Sequence, residues 1–324
     1  LGLRMLSVLR ARILLRRLRP LFAGATVEIA RQLEMLALAR GARDRHAPDA
    51  VLVYECLDIH RLMVGRSLVG AGLRRLEGHL LRGTDLLIVS SLAFVREHLS
   101  AAHGSRLPSV CLVENKVLRS DLPSLPAPPT KRDGPPWRIG WFGVLRCRRS
   151  LDLLADLVRH LPGKVVVDLR GRPSHAAIPD FDAVVASTPG LNFLGAYERR
   201  RDLSDIYGAV HFTWAIDFYE AGANSRWLLP NRLYEGGLHG AVPIALAAVE
   251  TGRWLAAHEA GVLIEEALDG ALLEYFARLQ PGEYAAAAAR IGNVARSAWL
   301  DDGQDGERLA AALRLRKPAR RGLA

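Results

Sequence analysis

Short apolar runs alternate along this chain with stretches whose apolar positions recur at helical spacing. Residues 27–40 show the helical pattern, and a continuous apolar run follows at 50–54 (AVLVY). Helical spacing resumes over 61–82, then come a second run at 85–90 (DLLIVS), a helical stretch at 93–102 and a third run at 109–113. Runs this short and this rich in β-branched residues read as strands buried on both faces. Strand and helix in alternation predict an open parallel sheet with helices on both sides.

The alternation stops between 119 and 136, where Pro123, Pro126, Pro128, Pro129, Pro135 and Pro136 crowd together. Such a segment cannot supply a central strand and reads as an interdomain linker. The pattern then restarts, with strands expected at 137–142, 164–169, 191–194, 210–215 and 242–246 and helices at 150–160, 202–207, 231–239 and 282–296. Two parallel-sheet domains follow: residues 1–122, a linker at 123–136, and residues 137–298, with a C-terminal segment and basic tail at 299–324. Between two such sheets lies a cleft, the usual place for a ligand. No internal repeat interrupts this reading.

Composition adds one strong feature. The chain has 324 residues, half of them hydrophobic and 24% charged, which is globular, and a net charge of +10. Only Lys116, Lys131, Lys164 and Lys317 are lysines, so the cations are nearly all arginines. The planar guanidinium suits phosphate because it donates two hydrogen bonds at once. The plain alternative is a genome that writes arginine wherever a cation is wanted. Charge alone also raises a nucleic-acid binder, but no recognition module and no interleaving of aromatic with basic residues accompany it, so no nucleic-acid partner is expected. Cys56, Cys111 and Cys147 form no C-x-x-C pair, which speaks against a disulfide framework or a thiolate zinc site and fits a reducing cytoplasm. No run reaches the roughly 18–20 apolar residues of a spanning helix. Residues 1–21 interleave apolar residues with arginines at helical spacing, as either a surface helix or one lying on an anionic membrane face.

Two motifs carry chemistry. In the first, Gly140-Trp-Phe-Gly143-Val-Leu-Arg146-Cys-Arg148-Arg149-Ser150, a strand gives way to a helix. Gly143 lets backbone approach a ligand, the helix start offers unpaired N–H groups, and Arg146, Arg148 and Arg149 add charge, so a diphosphate fits there; the alternative is a solvated basic turn. In the second, PNRLYEGGLHGAVPIA, Asn231 opens a helix, Arg232 and Glu235 lie one turn apart, and Gly236, Gly237 and Gly240 read as leaving an open surface. A carboxylate so placed can accept both hydroxyls of a ribose. No G-x-G-x-x-G follows a strand, which removes a nicotinamide dehydrogenase.

At these residues the chain resembles glycosyltransferase family 4, closest to the succinoglycan-type transferases of exopolysaccharide synthesis. PNRLYEGGLHGAVPIA resembles the family's donor-binding signature. GVLRCRRSLDLL resembles its phosphate loop, with Gly143 at the loop glycine, Arg149 where the lysine belongs, and Arg146 taking over from the arginine that Val144 replaces. VENKV at 113–117 falls on a family turn that aligns Asn115. The resemblance covers roughly residues 25–298 and implies the GT-B fold, two Rossmann-like domains facing each other across a cleft. It implies a UDP- or GDP-sugar donor, a glycan or lipid-linked acceptor, and neither metal nor other cofactor. It departs in two places. Trp227 stands eight positions before Glu235, where the family carries a second glutamate, so Glu220 or Asn224 is the candidate for the donor sugar. The first strand and its glycine-rich loop, expected before residue 25, are missing, so the first domain reads as N-terminally truncated.

In the first half, Glu55, Asp58 and His60 follow the 50–54 strand. Loops at the carboxyl edge of a parallel sheet face the ligand, which makes Asp58 and His60 the candidates for a base toward the acceptor hydroxyl; the alternative is a loop-anchoring pair. The leading expectation is therefore sugar transfer in cell-surface polysaccharide synthesis by a cytoplasmic protein, with peripheral contact at the inner membrane face. The competing one is a non-catalytic relative that binds a nucleotide sugar or a partner protein.

Overall fold

This computed structural model describes residues 7, 10, 11, 15, 17, 19–122, 134–265 and 268–315. Most of the 1–21 stretch, most of the Pro-rich segment and the end of the basic tail lie outside them. The chain divides into two units, Leu1–Glu114 with Gln304–Ala324, and Asn115–Gly303. The division thus falls ahead of the Pro-rich segment, and the C-terminal stretch returns to the first unit.

The first unit is built on four parallel strands in the order β1-β2-β3-β4. β1 (Val27–Arg31) leads through Gln32 into α1 (Leu33–His46). β2 (Val51–Cys56) ends in a loop before a single turn, α2 (Arg61–Val64), and α3 (Leu68–Leu81). β3 (Leu86–Val89) precedes a π-helical segment, Phe94–Leu99, and β4 (Ser109–Leu112). β2 and β3 are buried almost throughout, as their unbroken apolar runs require. Leu309, Ala312 and Leu313 of the helix Gln304–Arg314 pack against Val51, Val53, Leu86 and Ile88.

Two expectations change here. Residues 27–40 are a strand followed by a helix. β1 alternates buried and exposed side chains, the mark of an edge strand, and Gln32 at φ 74° turns the chain between the two elements. The helix expected over 61–82 breaks at Gly65–Ser67, and Ser67 Oγ caps the second piece by accepting from Gly70 N at 3.1 Å.

The second unit opens with β5 (Val117–Leu118). Then come β6 (Trp137–Leu145), α4 (Arg148–His160), β7 (Val165–Pro173) and β8 (Leu191–Phe193). α5 (Arg199–Gly208), β9 (Phe212–Trp214), α6 (Asn224–Trp227), α7 (Asn231–Leu238), β10 (Val242–Leu246), α8 (Glu250–Ala257) and β11 (Val262–Ile264) continue it. The helices Leu268–Arg278 and Pro281–Asn293 and a last strand, β12 (Leu300–Asp301), paired with β5, close it. Six strands lie parallel in the order β11-β10-β9-β6-β7-β8. The chain adds β7 and β8 on one side of β6, then crosses back to add β9, β10 and β11 on the other. The strand order reverses between β6 and β9, and at such a switch point the carboxyl ends splay and leave a crevice. Trp137, Trp141, Phe212, Trp214 and Phe276 belong to the core of this unit. Each large apolar side chain so buried contributes about 1.5–3 kcal/mol.

Candidate functional site

β6 does not end at Phe142. It runs on to Leu145, and Gly143 is a kink inside it, at φ 118°. Its register partner on β7 is Gly171, at φ 127°, and a Cβ on Gly171 would collide with the Gly143 carbonyl. Two glycines therefore let the strands press backbone against backbone at the crevice. Beyond Leu145 the chain turns into α4, whose first N–H groups point away from the helix with the positive end of its dipole.

The three arginines of this turn have different surroundings. Arg148 is held in place, with Nε donating to Asp152 at 2.8 Å and a second nitrogen paired to Asp180. Arg146 and Arg149 are in no ion pair among the described residues; their guanidinium carbons stand 4.2 Å over the Tyr219 ring and 4.3 Å over the Phe218 ring. Stacking orients a guanidinium and leaves its in-plane N–H groups open to an anion.

The loop after β9 is knitted by Asp217. Its Oδ1 accepts from Tyr219 N at 2.8 Å and from Ser225 Oγ at 3.0 Å, and Ser225 Oγ accepts from Glu220 N at 2.9 Å. Glu220 lies in this loop and Asn224 begins α6, both half-buried. Arg149, Asp217, Phe218, Ser225 and Arg226 share with Val249 a cavity of about 310 Å³ at the carboxyl ends of β9 and β10.

α7 carries the second motif. Asn231 is its exposed first residue. Arg232 Nε donates to Trp214 O at 2.9 Å, at the end of β9, and another of its nitrogens is 4.0 Å from Asp217 Oδ2. A Cβ on Gly143 would stand 3.9 Å from Arg232 Nη1, so the two motifs meet across the switch point. Asn115 Nδ2 donates to Leu229 O at 3.0 Å and fixes the chain just ahead of this helix. Gly236 and Gly237 do not leave an open surface: side chains there would run into Thr213 and Trp299, so their role is close packing of α7 on β9 and on the end of the unit.

Glu235 is 3% exposed and held at both oxygens. Oε1 accepts from Arg199 Nε at 2.8 Å and Oε2 from Tyr207 OH at 2.9 Å. Tyr207 packs edge-to-face on Phe142 at 4.9 Å, and Tyr197 lies beyond at 6.5 Å. Burial first and then the Glu235 charge push the Tyr197 hydroxyl up to about 12 and the Tyr207 hydroxyl well above its ordinary value. Both phenols are thus neutral donors in the physiological range. Arg199, Tyr207 and Asp217 were not among the sequence candidates. Nothing in YERRRDLSDIYG marks one arginine out of three or singles out the tyrosine; their roles come from where α5 packs.

In the first unit, Asp58 is exposed on the loop after β2 and His60 is half-buried. His60 caps α2, its Nδ1 accepting from Leu62 N at 3.2 Å. An imidazole whose Nδ1 accepts carries its proton on Nε2, which is then a donor. Burial first and then neighbouring positive charge hold His60 below its ordinary value. Glu55 is paired with Arg31 at 2.7 Å. Among the described residues no cluster of His, Cys, Asp or Glu is placed to hold a metal ion, and no helix is long and apolar enough to cross a membrane.

Comparison with known proteins decides the family. The chain is 47% identical over 291 residues to the succinoglycan biosynthesis protein ExoL of Rhizobium meliloti (strain 1021), covering 89% of this chain and 72% of ExoL. It belongs to the ExoL family. No protein-family model matches it. Among solved structures it is similar to HepE of Anabaena in complex with UDP and glucose, at a TM-score of 0.69 and 16% identity over 93% of this chain and 81% of HepE. It is also similar to the sucrose-phosphate synthase of Thermosynechococcus elongatus, at a TM-score of 0.67 and 14% identity over 90% and 74% of the two chains. The fold is GT-B, as the resemblance implied.

Proposed function

We propose that the second unit binds the nucleotide sugar at the β6–β9 switch point and that each sequence candidate there has a distinct part. Membership of the ExoL family and the GT-B fold support sugar transfer from a nucleotide-sugar donor in polysaccharide synthesis as the activity. The observation that carries the finer reading is the meeting of Gly143, Arg232 and Glu235. Gly143 neighbours Arg232, and Glu235 lies one turn on from Arg232 on α7, joined to Phe142 through Tyr207.

On this reading Arg146, Arg149 and Arg232 surround the diphosphate and stabilise the charge it gains as the glycosidic bond breaks. Glu235 accepts the ribose hydroxyls. Asn224 and Glu220, on the loop that Asp217 orders, face the sugar, with Asn231 at the rim. The donor is a UDP- or GDP-sugar, and HepE binding UDP and glucose supports the first. The acceptor is a glycan or lipid-linked oligosaccharide met at the inner membrane face. Asp58 is the better candidate for the acceptor base, because the capping tautomer of His60 already has its outer nitrogen protonated. No metal or other cofactor has a part in this scheme.

A thermal-shift panel of UDP-, GDP-, ADP- and TDP-sugars tests it, since a ligand that binds the folded state raises the melting temperature. One nucleotide family is expected to stabilise the protein, and Glu235→Ala to abolish both that shift and donor turnover. Trp227 in place of a second glutamate favours one other reading, a relative that binds the donor without transferring it. Stabilisation by a nucleotide sugar with no turnover on any glycan acceptor would establish that alternative.

A further inference from the structure

Both oxygens of Glu235 are held by side chains from α5, a helix that contributes none of the sequence candidates. The tyrosine is rigid: Tyr207 is fully buried, stacked on His239 at 5.9 Å and edge-on to Phe142. The arginine is not buried in that way. Arg199 keeps 38% of its side chain exposed, and a long exposed side chain has many rotamers to choose from. Its direction is set by a second acid. Asp121, which follows β5, keeps only 15% of its side chain exposed and stands 3.4 Å from Arg199 Nη1, while its other oxygen accepts from Arg200 at 2.9 Å. Arg199 therefore spans two carboxylates with one planar fork, Nε on Glu235 and Nη1 on Asp121, which a lysine cannot reproduce.

We infer that Arg199, oriented by Asp121, is a positioning residue that aims the Glu235 carboxylate at the nucleoside hydroxyls and so sets the preference for a ribonucleotide. The inference rests on the reading of Glu235 given above. Each carboxylate oxygen has two lone pairs. One on each is taken, by Arg199 and by Tyr207, and two bonds, one at each oxygen, restrain the rotation of the carboxylate. The lone pairs left over then point in fixed directions, and a vicinal pair of hydroxyls can meet them without further ordering. A carboxylate held at one oxygen only is free to rotate, and part of the binding free energy is then spent on holding it still.

The test is calorimetric titration of the full chain with UDP and GDP, each against its 2′-deoxy analogue, for the wild type and Arg199→Ala, Arg199→Lys, Asp121→Asn, Glu235→Gln and Arg199→Ala/Glu235→Gln. The wild type is expected to favour the ribonucleotide by about tenfold or more, the worth of one well-placed hydrogen bond to a charged group. Arg199→Ala should remove most of that preference and weaken the ribonucleotide about tenfold while leaving the deoxy analogue within about twofold. Arg199→Lys should restore little, Asp121→Asn should cost about threefold, and the double variant should behave as Glu235→Gln alone, because the two residues act through one interaction. A loss of affinity for both nucleotides alike would show a merely structural role for Arg199 and overturn the inference. So would an intact ribose preference in Arg199→Ala beside a lost one in Glu235→Gln, which leaves the reading of Glu235 standing. If the wild type binds neither nucleotide, or Glu235→Gln keeps the full preference, the reading of Glu235 itself falls and takes the inference with it. Arg199→Ala is compared only after its melting temperature shows a folded protein.

Discussion

Asp58 and His60 leave the carboxyl end of β2 on a single loop, and what His60 binds is two residues away, on α2. At the carboxyl ends of β6 and β9 the arrangement is of another kind. Gly143 comes from β6, Asp217 from the loop after β9, Arg232 and Glu235 from α7, and Arg199 and Tyr207 from α5, and each touches a group far away in the chain. Both places obey the same rule, that ligands meet a parallel sheet at its carboxyl edge. The rule locates an edge. What distinguishes a site from an edge is that side chains distant in sequence are brought together there and fixed by more than one neighbour.

The contrast can be broken or sharpened by substitution. The largest effect is expected from Gly171→Ala, which is not itself a candidate ligand residue but is the register partner of one, Gly143. It adds left-handed backbone strain and a side chain pressed onto the Gly143 carbonyl, so it should cost about 2–5 kcal/mol in denaturant unfolding and weaken donor binding through Gly143. Gly163→Ala, at φ 73° with open space around it, is the control and should cost only about 1 kcal/mol. A Gly171→Ala protein as stable as the wild type would mean that the close strand contact is not what shapes the crevice. Next, Asp58→Asn should lower kcat about a hundredfold if Asp58 takes the acceptor proton. His60→Ala should cost about 1 kcal/mol of stability, as loss of a cap does, with kcat within about twofold. The reverse order of these two would restore His60 as the base. Smaller still, Arg149→Ala should raise the KM for the donor about tenfold, the worth of a charge-assisted phosphate contact. Arg148→Ala, whose exposed ion pairs are of little worth, should stay within about twofold. Equal effects would show that the turn acts by net charge and not by the orientation its aromatic residues impose.

The least effect concerns pH. Burial holds the His239 imidazole below its ordinary value of 6.5, and its Nδ1 donates to Glu235 O at 2.8 Å. The unfolded chain therefore binds a proton more readily than the folded one. The stability this histidine contributes is full above pH 6.5 and declines as the pH falls below it. Melting temperatures should drop on acidification from pH 7 to 5, and His239→Asn should flatten that slope. An unchanged slope would place the acid sensitivity elsewhere, His60 of the first unit being the next candidate on the same sign.

Much of this was legible beforehand. The strands β2, β3 and β10 stood out because a strand buried on both faces must be apolar at every position. β1 was hidden because VEIAR is followed at once by strong helix formers, and only its pairing with β2 selects the extended form. The motif residues Gly143, Arg232 and Glu235 were visible as types at a spacing. Arg199, Tyr207 and Asp217 were not, since one arginine of a run or one aspartate in a loop acquires a role only from the partner that packing supplies. The open surface read from Gly236 and Gly237 failed for the same reason, because a missing side chain signals room for a neighbour as readily as room for a ligand.

By itself the sequence determined that strands and helices alternate, that their sheets are parallel, and that an arginine-bearing turn and a glutamate helix follow two of the strands. These are properties of local pattern, and local pattern is what hydrophobic periodicity and turn chemistry encode. Tertiary structure alone decided that β9 returns to the free side of β6, that Gly143 on β6 comes to stand beside Arg232, and that both oxygens of Glu235 are held by side chains of α5. These are contacts between residues tens of positions apart. Their formation depends on how whole elements pack, which no short stretch of residues specifies.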